Sequence, residues 1–111
     1  MTWTITFTDK AVRDLRKIKE PTKSHIQKAL RKVATNLLPQ QEGGYGKPLG
    51  HHNGSDLSGL LKIKLRNDGV RVVYRLERTA TQMIVIVIGI RDDGYVYQYV
   101  YQEAAKRMHD D

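Results

Sequence analysis

Five cations stand at strand-like spacing in the run LLKIKLRNDGVRVVYRL, residues 60–76: Lys62, Lys64, Arg66, Arg71 and Arg75. The face they share carries no carboxylate before Glu77. Charges that merely protect an exposed strand are usually mixed in sign, so a single-signed face points to a polyanionic partner. On RNA such a cluster has a specific use. Cleavage by the neighbouring 2′-hydroxyl needs a base for its proton, donors for the extra charge on phosphate, and an acid for the leaving 5′-oxygen. Lysine serves as base only when its pKa falls, and packed cations disfavour its charged form. Arginine stays protonated and clamps phosphate with its planar fork. No metal or other cofactor is called for, because the positive charge is already supplied.

A hairpin positions these residues. Leu61, Ile63 and Leu65 share one face and Lys62, Lys64 and Arg66 the other. On the return strand Val70, Val72, Tyr74 and Leu76 lie opposite Arg71, Val73 and Arg75. A two-residue turn at Asp68-Gly69 sets Arg66 against Arg71 and Lys62 against Arg75. A three-residue loop would bury charge, so the pattern requires an even loop.

Upstream, Trp3, Ile5 and Phe7 alternate as in a strand. Asp9 is placed to cap a helix over 10–19, with Ala11, Val12, Leu15 and Ile18 inward; Pro21 breaks it. A second helix is expected from about Thr22 to Leu38, with Ile26, Leu30, Val33 and Leu37 inward and Lys23, Lys28, Arg31 and Lys32 outward. Residues 39–56, rich in Gly, Pro and polar groups, read as a long loop. Residues 82–91, QMIVIVIGIR, are apolar on both faces until Arg91, as in a central strand covered on both sides. RDDGY is a turn, and the tail is extended through Tyr95, Tyr97, Tyr99 and Tyr101 before becoming helical. The order is β-α-α-β-β-β with a short C-terminal helix. The expected fold is α+β: a small antiparallel-rich sheet with two N-terminal helices packed on one face.

The 111 residues predict one domain spanning 1–111. Nineteen Lys and Arg against twelve Asp and Glu leave a formal charge of +7. Without cysteine there is neither disulfide nor thiolate chemistry, which fits a reducing compartment. The N-terminus does not read as a secretory signal, and the longest apolar run, Met83 to Ile88, is too short to cross a bilayer. The expectation is a soluble cytoplasmic protein with no membrane partner. His51-His52 lack a third ligand at metal-site spacing, and Gly43, Gly44 and Gly46 lack the context of a phosphate-binding loop. His25 reads as solvated. Lys23, Arg31 and Lys32 are candidate RNA contacts, with a plain solvated helix face as the equal alternative; Lys47, Arg66 and Arg75 are further candidates.

GLLKIKLRNDGVRVVYRL, then IVIGIR, then VYQEAAKRM resemble the RelE/ParE superfamily of bacterial type II toxins, on its RelE branch. The specificity lies in K-x-K-x-R and G-x-R-x-x-Y combined with a following G-x-R. The resemblance spans nearly the whole chain. It implies a ribosome-dependent, metal-independent endoribonuclease that cuts mRNA in the ribosomal A site, held inactive by a cognate antitoxin. Carried over by position, the catalytic lysines fall on Lys62 and Lys64, with Lys64 favoured as base and Lys62 as phosphate contact. The charge-stabilising arginines fall on Arg66 and Arg71, and the arginine implicated in leaving-group protonation on Arg91. The substrate-positioning tyrosine is Tyr101 by the match of VYQEAAKR and Tyr97 by counting from Arg91. The tail and the 39–56 loop both look longer than the family pattern. Two other functions compete. A ParE-like toxin poisons DNA gyrase without nuclease activity, although that branch generally lacks the paired hairpin lysines. A non-catalytic RNA- or protein-binding module is the third.

Overall fold

A computed structural model describes residues 3–35, 47–52, 55–77, 79–90 and 96–107. The elements are β1 (Thr4–Phe7), α1 (Asp9–Arg16), α2 (Thr22–Val33), β2 (Lys47–His52), β3 (Ser55–Leu65), β4 (Val70–Glu77), β5 (Gln82–Ile90) and α3 (Val96–Arg107). The strands form one sheet in the order β1-β5-β4-β3-β2. β1 runs parallel to β5, and every other pairing is antiparallel. The α+β class and the antiparallel-rich sheet are as expected.

Local chemistry sets the helix ends. Thr8, not Asp9, caps α1: its hydroxyl accepts from the Ala11 N–H at 3.2 Å, and Asp9 is the first helical residue. Either type can cap, and the register of the first turn decides which does. α1 stops at Arg16, short of the expected Lys19, although Ile18 still packs into the core. α2 begins behind Pro21, which offers no side-chain cap. Glu20 supplies one instead, accepting from the Ser24 N–H at 2.7 Å and from its hydroxyl. These bonds from Ser24 hold the exposed Glu20 carboxyl below its usual range. α2 ends at Val33; Leu37 and the rest of 36–46 lie outside the described residues.

The apolar character of β5 has a direct cause. It lies between β1 and β4 and is covered on both faces. On one side Met83, Val85 and Ile88 join Leu61, Val70, Val72 and Tyr74 against Ala11, Ile26, Leu30 and Val33 of the N-terminal helices. On the other, Ile86 and Val87 join Leu60 and Val73 against Val100 and Ala104 of α3. A register shift against β4 between Val73 and Tyr74 makes Ile86 an extra residue. Such a bulge turns two consecutive side chains to one face, which explains why Ile86 and Val87 share a core.

Two expectations are corrected. The 39–56 segment is not all loop: Lys47–His52 pairs with β3, whose first residue is Ser55. Its glycine and proline hid an edge strand, where a proline is tolerated and here accompanies a register shift between Pro48 and Gly50. The two N-terminal helices share one face as expected, and α3 covers the opposite side. The tail is helical from Val96, so Tyr97, Tyr99 and Tyr101 belong to a helix rather than an extended segment. Val100 and Ala104, four apart, carry the buried stripe that the tyrosine alternation masked.

β1 ends at Phe7 while β5 continues to Ile90, so beyond Val85 the β1 side of β5 has no strand beside it among the described residues, although β4 still pairs on the other side. Side chains fill that role. Asp14 of α1 accepts from the Ile88 N–H at 3.1 Å, and Arg107 of α3 donates to the Ile86 carbonyl at 3.1 Å. Arg107 also meets Asp14 Oδ2 at 2.8 Å and Glu103 Oε2 at 2.8 Å. Burial alone disfavours the charge on Arg107, but the Asp14 hydrogen bond and attraction to Asp14 and Glu103 outweigh it and hold its pKa above the ordinary value. No described helix is long and apolar enough to cross a membrane.

Candidate active site on the cationic sheet face

The alternation that buries Leu61, Val72 and Tyr74 against α1 and α2 sends Lys62, Lys64, Arg71 and Arg75 to the other face of the sheet. That face also carries Leu60 and Val73, which pack on α3. The candidate site and α3 therefore share one side of the molecule.

The register differs from the expected one by two residues. The connection is four residues, Arg66 to Gly69, between Leu65 and Val70. Lys64, not Arg66, stands opposite Arg71; Lys62 faces Val73, and Arg75 faces Leu60. The even parity holds, so the cations still share a face. The longer turn is anchored from outside the hairpin: Asp68 meets His25 Nδ1 at 2.9 Å and accepts from the Thr22 hydroxyl at 3.5 Å. Thus His25 is exposed but also ties α2 to the turn.

Lysine and arginine directly opposite one another have Cβ atoms about 5 Å apart, and diagonal neighbours stand about 7–8 Å apart. Lys64 and Arg71 are such a direct pair, and Lys62 is diagonal to both Arg71 and Arg75. On its other side Lys62 pairs with Lys47 of β2, a relation hidden while 39–56 read as loop. Lys62, Lys64, Arg71 and Arg75 are all half-buried. Nε and Nη1 of Arg71 and Nε of Arg75 are inaccessible to solvent, so both guanidinium groups are held in the structure rather than waving from it.

Other candidates separate from this group. Arg66 is exposed in the turn. Lys23, Arg31 and Lys32 lie on α2, in the layer beyond the opposite sheet face. Tyr97 and Tyr101 fall on α3, the helix bordering the site. Arg91 lies outside the described residues. Tyr74, the tyrosine of G-x-R-x-x-Y, is fully buried on the far face, and burial pushes its hydroxyl well above the usual phenol range.

Sequence reasoning missed two features. Gly89 pairs with Arg71, and a Cβ at that position would run into Val100 Cγ2, so the glycine is what lets α3 approach. Asp14 and Arg107 carry no signal in the sequence, since nothing in their local pattern marks a contact 93 residues apart. Gly89→Ala is expected to cost about 1–3 kcal/mol through overpacking, visible as a lowered thermal midpoint.

The family model describing the ParE toxin of a type II toxin–antitoxin system, parDE, matches residues 5–95. The chain belongs to the RelE/ParE superfamily of type II toxins. A mutant of the E. coli toxin RelE in the free state is 25% identical over 97% of this chain and 99% of that one, with a TM-score of 0.72. The RelBE2 toxin–antitoxin complex of Mycobacterium tuberculosis is 22% identical over 84% of this chain and 95% of that one, with a TM-score of 0.67. The second likeness speaks to fold alone. No curated protein matches the sequence. This toxin thus pairs a ParE family match with a RelE-like fold, and its hairpin carries both lysines of the resemblance.

Proposed function

We propose that this toxin is a ribosome-dependent endoribonuclease that cleaves mRNA by 2′-hydroxyl attack and so inhibits translation. The observation that carries the reading is the placement of Lys64 directly across from Arg71, with Lys62 diagonal to it, on one sheet face. Lys64 takes the 2′-hydroxyl proton. Lys62 and Arg71 hold the phosphate and oppose the charge that builds on it, and Arg91 delivers the proton to the 5′-oxygen. A tyrosine of α3, Tyr97 or Tyr101, positions the nucleotide. Arg66, Arg75 and Lys47 extend the RNA path beside the reaction centre, and Lys23, Arg31 and Lys32 reach a separate stretch of backbone. The reaction in this reading is carried by lysine and arginine, without a histidine pair as base and acid. Positioning by the ribosome therefore supplies much of the acceleration, and naked RNA is a poor substrate. The partner that restrains the toxin is a cognate antitoxin, as in the RelBE complexes of E. coli and M. tuberculosis. The site of action is the cytoplasm.

The ParE family match over residues 5–95 favours a second reading, a gyrase poison without nuclease chemistry. Induced expression separates the two. The endoribonuclease reading expects protein synthesis to stop first, with DNA intact. DNA damage preceding any loss of translation would assign the toxin to the gyrase class.

A further inference from the structure

Beyond the end of β1, the edge of β5 that faces away from β4 is held by an ion pair in place of a strand. In a parallel ladder, one residue of the neighbouring strand donates to a carbonyl and accepts from the N–H two residues further on. Ile86 C=O and Ile88 N–H present that pair of groups, and Arg107 and Asp14 satisfy them, with each other at 2.8 Å. Their side chains are 8% and 16% exposed, so this contact is largely withdrawn from solvent. Arg107 sits at the C-terminal end of α3, and Val100 rests against Gly89 about two turns earlier. These two points fix the helix on the sheet face that carries Lys62, Lys64 and Arg71.

We propose that Asp14 and Arg107 are positioning residues: by clasping the unpaired edge of β5 they set where α3 lies beside the Lys62–Lys64–Arg71 patch. The inference rests on the endoribonuclease reading for its effect on turnover. The clasp acts on both walls of the site, since β5 carries Gly89 opposite Arg71 and α3 carries Tyr97 and Tyr101. Neither residue touches substrate. Arg107→Lys supplies one ammonium where Asp14, Glu103 and Ile86 C=O all require donors, and Asp14→Asn keeps an acceptor for Ile88 while removing the charge.

The experiment measures ribosome-dependent cleavage and site-resolved amide exchange for the intact toxin, Arg107→Lys and Asp14→Asn. Turnover at saturating ribosomes is expected to fall roughly 10- to 100-fold in Arg107→Lys, as a misplacement of about 1 Å can cost. The half-saturating ribosome concentration should stay within about twofold, since the groups that grip the substrate remain. Amides of Ile88 and α3 should exchange faster in both variants, while those of Ile26 and Leu30 keep their protection. Unchanged turnover with α3 loosened overturns the proposal, and so does faster exchange spread evenly over α2, which reports only general destabilisation. If the unaltered toxin cuts no mRNA, the endoribonuclease reading fails. The clasp is then judged on exchange alone: selective loosening of Ile88 and α3 upholds it, and uniform or absent loosening overturns it.

Discussion

Lys64→Ala is expected to lower mRNA cleavage on translating ribosomes by roughly 10²–10⁴-fold, the range associated with losing a general base. Arg71→Ala should cost about 10²–10³-fold, as for the loss of one charge-stabilising donor. Because the two residues face each other and act in one step, the double variant should lose less than the product of the single losses. Lys64→Arg is the informative control. It keeps the positive charge but cannot give up a proton near neutral pH, so it should stay as inactive as Lys64→Ala. Full activity in Lys64→Arg would remove the base from Lys64 and leave it a phosphate contact. The loss should be seen in variants that remain folded at the assay temperature: like charges directly opposite one another are destabilising in the free protein, and relieving that repulsion offsets part of the packing lost at the half-buried Arg71. A cleavage loss that merely followed unfolding would contradict the assignment.

The second large effect concerns a residue of the same motif with a different task. Tyr74 is fully buried among the residues that pack on α1 and α2. Tyr74→Ala should destabilise the toxin by about 3–5 kcal/mol, the cost of removing a large aromatic side chain from a close-packed core. Chemical denaturation read by circular dichroism measures this directly. Tyr74→Phe keeps the ring and should retain cleavage within a few-fold. The hydroxyl, pushed upward by burial, should add no limb to the pH–rate profile near neutrality. Loss of cleavage in a well-folded Tyr74→Phe variant would instead give the hydroxyl a part in the reaction.

The legible parts of the fold were those with strong periodicity. The two-residue alternation of Leu61, Ile63 and Leu65 against Lys62 and Lys64 placed the cations on one face, and parity survived a wrong turn length because it depends only on an even loop. The register itself was not legible. Asp68-Gly69 is a good two-residue turn by local preference, but Asp68 is bonded to His25 and Thr22, and that contact with a distant helix lies outside any local pattern. The edge strand β2 was hidden for a related reason: its pairing with β3 is set by a neighbour, while Gly50 and Pro48 argue locally for a loop. The double-sided apolar run of β5 correctly signalled cover on both faces. Only the bulge at Ile86 and the docking of α3 show which residues face which core. Similarly, Lys62, Lys64 and Arg71 could be named from type and spacing, whereas Asp14, Gly89 and Arg107 acquire meaning only once α1, β5 and α3 are brought together.

The central claim is that the lysine and arginine side chains of the hairpin face direct a 2′-hydroxyl onto its own phosphodiester. Mapping the ends of mRNA recovered from purified translating ribosomes, with and without the toxin, tests it most directly. The account predicts cuts confined to ribosome-bound message, with 2′,3′-cyclic phosphate on the upstream fragment and a 5′-hydroxyl on the downstream one. It also predicts no such ends with Lys64→Ala. Intact message, or fragments ending in 3′-hydroxyl and 5′-phosphate, would contradict it.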